Sequence, residues 1–260
     1  MAVTQTKRDE MSFFDSALKG TKYDEFEEDY YEKIFALLNL SDRPNTKVLL
    51  DVGCGSGAWG IRLTKKGYDV VGVDISRTLV KSAKDWADTA NVNFTPILCD
   101  VEKLPLRAGT FEICFCGYVL HHFKRLNKLL FELSRVMKAQ SELLAVEPNG
   151  SNIINKFGRS AMTFFPQQWV MKKGIATSNE RVHGIKYYIR IFKKTGFCTL
   201  KFSAVNRETS SAPLRLSLIG LLISGRKLFF SIYQRTTSGP TGKTELLMRA
   251  SKKSLQKARI

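Results

Sequence analysis

The 260-residue sequence lacks an uncharged apolar run long enough to cross a membrane. In its most apolar stretch, residues 212–234, the longest uncharged segment is Leu216–Gly225, with ten residues. A spanning helix needs about 20 residues. Residues 1–10 are polar, so we expect no secretory signal peptide. The sequence therefore predicts a cytoplasmic protein without a membrane span.

Histidine and cysteine are scarce, with three and five residues respectively. Cys114 and Cys116 do not have a useful zinc spacing, and the three histidines supply no partner set. We therefore expect no metal site and interpret the cysteines as reduced thiols. The five cysteines are Cys54, Cys99, Cys114, Cys116 and Cys198.

Acidic residues are nearly absent from the C-terminal part of the chain. Residues 151–260 contain 21 lysines and arginines but only three glutamates, whereas residues 1–150 contain 20 basic and 21 acidic residues. A basic segment of this kind favours an anionic partner, such as nucleic acid, a membrane surface or an acidic substrate. Solubility alone would also explain it.

The sequence does contain a regular alternation of strand-like and helix-like segments between residues 47 and 149. Apolar runs predict five strands, and amphipathic segments between them predict helices. The predicted strands are 48–52, 69–73, 92–98, 111–118 and 143–146, and the predicted helices are 59–66, 76–90 and 126–137. Because such alternation indicates parallel pairing, we expect a doubly wound α/β sheet.

The flanking segments are less regular. An acidic segment, residues 23–40, has apolar residues that include Leu37 at helical spacing. Residues 186–195 predict a helix that ends at Gly196, and residues 197–205 and 244–250 alternate like strands. We therefore divide the chain into a helical segment (1–46), a core (47–150) and a basic part that completes the sheet (151–260).

Two glycine patterns overlap in the segment VLLDVGCGSGAWGIRL, residues 48–63. From Gly55 it reads G-x-G-x-x-G, which is typical of a turn that binds a dinucleotide pyrophosphate at a helix N-terminus. From Asp51 it reads D-V-G-C-G-S-G, and a carboxylate there would repel a pyrophosphate. Asp51 therefore favours a ligand with cationic character. Adenosylmethionine fits, because it has an ammonium, a sulfonium and no phosphate, and Gly53 and Gly55 would let the backbone approach it.

Acidic residues also follow the next two predicted strands. Asp74 comes directly after the second strand, where a carboxylate can accept both ribose hydroxyls of adenosylmethionine or of NAD. Asp100 follows the third strand and can accept a hydrogen bond from an adenine amino group. Ile75 and Val101 offer flat apolar contact beside these carboxylates. In this order and spacing the residues favour adenosylmethionine over NAD.

Residues 48–150 resemble the class I adenosylmethionine-dependent methyltransferases, especially the group with small-molecule and quinone substrates. The similar motifs are D-V-G-C-G-S-G, V-V-G-V-D, L-C-D-V-E-K-L-P, F-E-I-C-F-C-G-Y-V-L-H-H and L-L-A-V-E-P-N. The resemblance implies a mostly parallel, seven-stranded Rossmann-like sheet with helical cap insertions, in which the strand T-E-L-L-M-R-A-S-K inserts antiparallel beside the sixth. It also implies S-adenosyl-L-methionine as cofactor, with Tyr23 on a segment that lies over it. The other cofactor residues so implied are Asp51, Gly53, Cys54, Gly55, Asp74, Asp100, Cys116 and Gly117.

Two histidines follow the fourth predicted strand, at the edge of the sheet where such a ligand binds. Methyl transfer from a sulfonium needs an acceptor about 3 Å from the methyl carbon and the exclusion of water. A general base helps only if the acceptor must lose a proton, and we predict His121 for that role. The alternative is that one histidine packs while the other is solvated. Residues 116–119 lack the Pro-Pro-aromatic turn typical of nucleic-acid amino methylation, which argues against a nucleic-acid partner.

The prediction of the methyl acceptor rests on the C-terminal part of the chain. We expect residues 152–185 and 206–240 to form a cap, and the insert 212–234 to be a hydrophobic lid, a dimer contact or a membrane-interface helix. We therefore predict a methyltransferase for a small or lipid-like acceptor, and peripheral binding to an anionic inner-membrane surface stays open. Two further hypotheses are an RNA methyltransferase that uses the basic part and a non-catalytic adenosylmethionine-binding protein.

Overall fold

A computed structural model describes residues 5–17, 26–40, 47–150, 180–205 and 245–253. Within these residues the chain forms a seven-stranded sheet covered by helices. The strands are β1 (Val48–Val52), β2 (Asp69–Asp74), β3 (Phe94–Leu98), β4 (Phe111–Gly117), β5 (Met137–Pro148), β6 (Phe197–Val205) and β7 (Glu245–Lys252). The helices are α1 (Gln5–Ala17), α2 (Glu28–Leu37), α3 (Ala58–Lys65), α4 (Arg77–Thr89), α5 (Asn127–Val136) and α6 (Ile185–Lys194). A short 3₁₀ turn, Leu120–His122, links β4 to α5.

The strand order is β3-β2-β1-β4-β5-β7-β6. Strands β1 to β5 pair in parallel, whereas β7 runs antiparallel to both β5 and β6. This arrangement confirms the predicted mostly parallel Rossmann-like sheet and the antiparallel insertion of the last strand. The connections reverse direction between β1 and β4, and the crevice at the carboxyl ends of such strands is where doubly wound sheets bind their ligands.

Alternate residues of β1 face two separate apolar clusters, as expected for a strand between two layers of helices. Leu50 and Val52 pack into the cluster that contains α5 and α6, whereas Leu49 packs into the cluster that contains α2 and α3. All three side chains are completely buried. Burial on both faces explains why the central strands appear in the sequence as continuous apolar runs.

Helix boundaries follow the local sequence signals. Ser76 caps α4 as predicted, because its Oγ accepts a hydrogen bond from the Leu79 backbone N–H at 3.2 Å. Gly196 follows α6 with φ at 94°, a left-handed conformation that favours glycine and ends the helix. Within α3, a Cβ at Gly60 would overlap the Phe94 ring, so this glycine lets the helix pack closely on β3.

Strand β5 and helix α2 differ from their sequence predictions. Strand β5 begins at Met137, not at residue 143, because the chain passes directly from α5 into the sheet and Met137 pairs with Phe111. In α2, Leu37 is 49% exposed and Phe35 is completely buried. The helix is rotated so that the Phe35 ring packs edge-on against Trp59, with the ring centroids 5.7 Å apart.

Several sequence predictions lie outside the described residues. These are Tyr23, the cap at 206–240 with its apolar insert 212–234, and all of the 152–185 cap except residues 180–185. In the part of the chain that the structure describes, no helix is both long enough and apolar enough to cross a membrane.

Candidate cofactor and active site

The predicted cofactor residues gather at the carboxyl ends of neighbouring strands. Asp51 lies on β1 opposite Gly72 of β2, and Val52 of β1 lies opposite Cys116 of β4. Asp74 ends β2, and Asp100 follows shortly after the end of β3. The parallel sheet therefore brings three carboxylates, which are far apart along the chain, to one edge.

The loop between β1 and α3 makes the turn that its glycines predict. Gly53, Gly55 and Gly57 all have positive φ, at 66°, 53° and 91°. A Cβ at Gly53 would collide with Val119, whereas a Cβ at Gly55 would meet no atom within 4 Å. The loop is therefore packed against the segment after β4 on one side and open at Gly55 on the other, as a ligand-binding turn requires.

Asp51 is buried with an incomplete set of partners. Its side chain is 1% exposed, and its Oδ2 atom has no hydrogen-bond partner among the described residues. Burial, reinforced by the negative charge of Asp74, raises the pKa of Asp51 to about 7. A nearby cation lowers the free-energy cost of such a buried negative charge, and a nearby anion raises it. The geometry therefore fits the ammonium group of adenosylmethionine and not a pyrophosphate.

Asp74 ties the glycine turn to the start of α4. Its Oδ2 accepts a hydrogen bond from the Gly55 N–H at 2.9 Å, and its Oδ1 accepts one from the Ser76 N–H, also at 2.9 Å. Burial raises the pKa of Asp74 although these hydrogen bonds oppose the shift. Because an ionised carboxylate has about four acceptor positions, these hydrogen bonds leave acceptor capacity for a ribose hydroxyl.

The third carboxylate, Asp100, is in contact with α1. Lys7 forms an ion pair with Asp100 and another with Glu102 at 2.7 Å. Asp15, near the other end of α1, accepts a hydrogen bond from Ser76 Oγ at 2.5 Å. Helix α1 therefore spans the sheet edge from the end of β3 to the start of α4. The sequence analysis missed this helix because its sequence is mostly polar.

The remaining predicted cofactor residues have mixed surroundings. The Cys54 N–H donates to the Val73 carbonyl at 3.0 Å, and both Cys54 and Cys116 are buried thiols whose pKa burial raises. A Cβ at Gly117 would lie 2.7 Å from Trp59 Nε1. Val101 is buried, whereas Ile75 is half-buried at the sheet edge. Their contacts with the cofactor stay predictions, and Tyr23 lies outside the described residues.

Aromatic residues of α2 lie above the end of β4. The Tyr30 and Tyr118 hydroxyls are 2.6 Å apart. The Phe26 ring stacks on both tyrosines, with centroid distances of 4.6 and 5.3 Å. The N-terminal segment therefore brings aromatic rings close to the predicted cofactor edge, as the resemblance implies, through residues other than Tyr23.

His121 is held by a buried glutamate that the sequence analysis did not single out. Glu147, near the end of β5, is 0% exposed, and its Oε2 lies 2.7 Å from His121 Nδ1. The available signal was a charged residue inside the apolar run L-L-A-V-E-P-N, since a buried charge needs polar partners. His121 itself is 9% exposed, so it is the packed histidine of the pair.

The neighbouring His122 contacts different groups. Its ring lies edge-on to Phe14 of α1, with the centroids 5.3 Å apart, and its Nδ1 is 3.8 Å from Glu10 Oε2. His121, His122 and Glu180 each offer one atom that could bind a metal ion, and these three atoms lie within 4.8 Å of one another. The sequence analysis considered only cysteine and histidine partners, and the structure adds a carboxylate to the two histidines. The absence of a metal therefore stays a prediction.

The strand order, the glycine turn and the carboxylates at three strand ends define a class I adenosylmethionine-dependent methyltransferase fold. Residues 50–145 match a family model described as a methyltransferase domain. The matched segment therefore carries a methyltransferase domain, and the sheet around it has the class I methyltransferase fold.

Curated relatives and solved structures are similar to this chain over different lengths. An uncharacterized methyltransferase, YcgJ, of Bacillus subtilis is 30% identical over 102 residues, which are 38% of this chain and 40% of the relative. A ubiquinone biosynthesis O-methyltransferase of Coxiella burnetii is 33% identical over 97 residues, or 37% of this chain and 42% of the relative. The chain thus aligns with less than half the length of these two relatives.

A Streptomyces coelicolor geranyl diphosphate C-methyltransferase, solved with Mg²⁺, geranyl diphosphate and S-adenosyl-L-homocysteine, superposes with a TM-score of 0.65. The match covers 96% of this chain and 100% of that chain at 15% identity. The YcgJ structure has a TM-score of 0.58 at 16% identity, covering 86% and 99% of the two chains. At this identity the structures establish the fold.

Proposed function

We propose that the protein transfers a methyl group from adenosylmethionine to a small or lipid-like acceptor. The observation that carries the proposal is Asp51, a buried carboxylate beside the glycine turn with an oxygen that the described residues leave without a hydrogen-bond donor. Asp51 would hold the ammonium group, Asp74 the ribose hydroxyls and Asp100 the adenine amino group. When bound, the cofactor supplies an electrophilic methyl group on a sulfonium.

The chain's own contribution to the chemistry is orientation, exclusion of water and proton removal. Helix α1 covers the sheet edge beside Asp100, and Phe26, just before α2, covers it beside Tyr118. His121 is the base we assign, because Nδ1 is occupied by Glu147 and Nε2 can accept a proton. This assignment suits an acceptor that loses a proton, such as a hydroxyl.

The acceptor class rests on the aromatic surroundings and on the comparisons. The half-buried rings of Phe26 and Tyr118 stack on each other, which suits an apolar acceptor better than a highly charged one. Tyr30 and Trp59 belong to the buried core that supports them. The names of the Coxiella relative and of the Streptomyces enzyme refer to ubiquinone and geranyl diphosphate, and they support a small or lipid-like acceptor.

Cofactor binding tests the first part of the proposal. We expect Asp74→Ala to weaken adenosylmethionine binding at least tenfold by calorimetry, because it removes the ribose acceptor and the support of the Gly55 N–H. Asp88→Ala is the matched control, since Asp88 is exposed and pairs with Lys84 on α4. Equal affinities of wild type and Asp74→Ala would contradict the assignment, and so would tighter binding of NAD.

Methyl transfer tests the second part. Purified protein is incubated with methyl-labelled adenosylmethionine and a cell extract separated into lipid, small-molecule and RNA fractions. Label in the lipid or small-molecule fraction is the expected result. Absence of label from every fraction, with cofactor binding intact, would instead favour a non-catalytic binding protein.

An RNA methyltransferase is the second candidate, favoured by the 21 basic residues in 151–260. If it is correct, the label enters the RNA fraction and RNA affinity falls steeply with added salt. The same basic part is the basis for proposing binding to an anionic membrane surface from the cytoplasmic side. Co-sedimentation with phosphatidylglycerol vesicles, compared with neutral vesicles, distinguishes this binding from RNA binding.

A further inference from the structure

The carboxylate of Glu147 has a complete set of donors. Its Oε1 accepts hydrogen bonds from the backbone N–H groups of Val119 and Leu120, at 2.8 and 2.6 Å. Its Oε2 accepts from the backbone N–H of His121 at 3.2 Å and lies 2.7 Å from the His121 ring nitrogen Nδ1. Glu147 therefore organises the segment after β4 from a distant position in the sequence, on a different strand.

These contacts determine which ring nitrogen of His121 carries a proton. Three backbone N–H groups donate to Glu147 and favour its ionised form, which only accepts hydrogen bonds. Nδ1 is then the donor in the contact with Oε2. In the neutral imidazole the lone pair is then on Nε2. A base needs this lone pair, and the opposite tautomer would present a proton in its place.

We propose that Glu147 is a positioning residue that fixes His121 in the tautomer with its lone pair on Nε2. Its catalytic consequence rests on the proposed function, in which His121 removes a proton from the acceptor. Glu147 also holds Val119, which packs against Gly53 of the cofactor turn. The glutamate therefore connects the orientation of the base to the position of the cofactor loop.

Glu147→Gln separates the electrostatic role from the structural one. The Gln carbonyl oxygen is expected at the Oε1 position, because two short N–H donors point there. The amide NH₂ group then faces His121 Nδ1, which must become the acceptor while Nε2 takes the proton, and the weaker hydrogen bond from the His121 backbone N–H, at 3.2 Å, is lost. The substitution keeps the shape of the side chain and reverses the tautomer.

The first measurement needs no acceptor. In protein labelled with ¹⁵N-histidine, we expect NMR to place the His121 proton on Nδ1 in the wild type and on Nε2 in Glu147→Gln. Adenosylmethionine affinity should stay within about twofold, because the Oε1 bonds that support Val119 are retained. Glu142→Gln, on the same strand, is the control and should leave the His121 tautomer unchanged. A wild-type proton on Nε2, or no change of tautomer in Glu147→Gln, would overturn the proposal.

The second measurement uses methyl-labelled adenosylmethionine and whichever extract fraction the wild type methylates. We expect Glu147→Gln to slow transfer by about 10²–10⁴-fold, the usual contribution of a general base, because the wrong tautomer removes the base. His121→Asn should slow it similarly, and the double variant should be no slower than His121→Asn alone. Each assay is repeated with EDTA, because His122 and Glu180 lie beside His121.

Additive losses in the double variant, or a reversed tautomer with full activity, would show that Glu147 acts only through structure. If the wild type labels no fraction, the proposed function fails, whereas the NMR result still decides whether Glu147 sets the tautomer.

Discussion

Asp51→Asn should make the protein more stable and, at the same time, a poorer binder of adenosylmethionine. The substitution keeps the shape of the side chain and removes its charge. In the folded protein burial raises the pKa of Asp51 from 3.8 to about 7, with the charge of Asp74 as a second cause. The folded state therefore binds the Asp51 proton more tightly than the unfolded chain does. The contribution of Asp51 to the free energy of unfolding therefore falls as the pH rises from about 4 to about 7, and it is constant above that range.

The magnitude follows from the two pKa values. A tenfold change in proton affinity corresponds to about 1.4 kcal/mol, so the raised pKa of Asp51 costs the folded protein about 4 kcal/mol at pH 7.5 and about 2 kcal/mol at pH 5. The Asp51→Asn variant has no such penalty at either pH. The stability gained by the substitution should therefore be about 2 kcal/mol larger at pH 7.5 than at pH 5. This difference is independent of how well the amide itself packs, because packing contributes equally at both values.

Urea unfolding at the two pH values measures this difference, with Asp88→Asn as the exposed control. Calorimetry on the same proteins measures the binding. We expect wild-type affinity for adenosylmethionine to rise up to tenfold per pH unit below 7 and then level off, since the cationic ligand selects ionised Asp51. Asp51→Asn should weaken binding by about 10- to 100-fold at pH 7, the range for a lost hydrogen bond to a charged group.

Methylthioadenosine, which lacks the amino-acid end of the cofactor, serves as the ligand control. Its affinity should be unaffected by Asp51→Asn and should not depend on the Asp51 charge. Equal adenosylmethionine affinity in wild type and variant would refute the reasoning. So would a stability gain that is the same at both pH values.

Two further substitutions test the local structure of the site. Gly53→Ala should destabilise the fold by about 2 kcal/mol more than Gly109→Ala in urea unfolding. Both glycines have φ at 66°, but only a Cβ at position 53 collides with Val119. Equal losses would remove the collision as the reason for glycine at position 53. Ser76→Ala should cost about 1 kcal/mol by the same assay, because the Leu79 N–H loses its cap. No measurable loss of stability in Ser76→Ala would mean that Ser76 is not an effective cap.

The sequence was sufficient to place side chains that lie at the ends of parallel strands. Asp51, Asp74 and Asp100 could be placed together because parallel strands align their carboxyl ends, and an apolar run followed by a polar residue marks such an end. Gly53 and Gly55 could be assigned to a turn for the same reason. The structure places all three carboxylates at the same edge of the sheet.

Contacts between distant segments could not be predicted in this way. Leu37 fits the helical spacing of α2, but the side chain that is buried is Phe35, because the position of Trp59 sets the rotation of the helix. The ion pairs of Lys7 with Asp100 and Glu102 depend on α1 crossing the sheet edge, and no periodicity in a mostly polar segment specifies that path. His121 was identified from its position after β4, whereas its partner Glu147 comes from another strand.

Asp51 and Glu147 are both buried carboxylates at the same sheet edge, and the difference in their partners indicates different roles. The fold itself supplies every donor that Glu147 requires, so its oxygens are satisfied before any ligand binds. Asp51 Oδ2 has no donor within the described part of the chain, so at neutral pH the fold bears a cost that a cationic ligand would relieve. Loss of the Asp51 charge should consequently stabilise the protein without ligand, whereas loss of the Glu147 acceptors, as in Glu147→Ala, should destabilise it. Opposite signs for two carboxylates in one site would show that the first serves the cofactor and the second serves the protein.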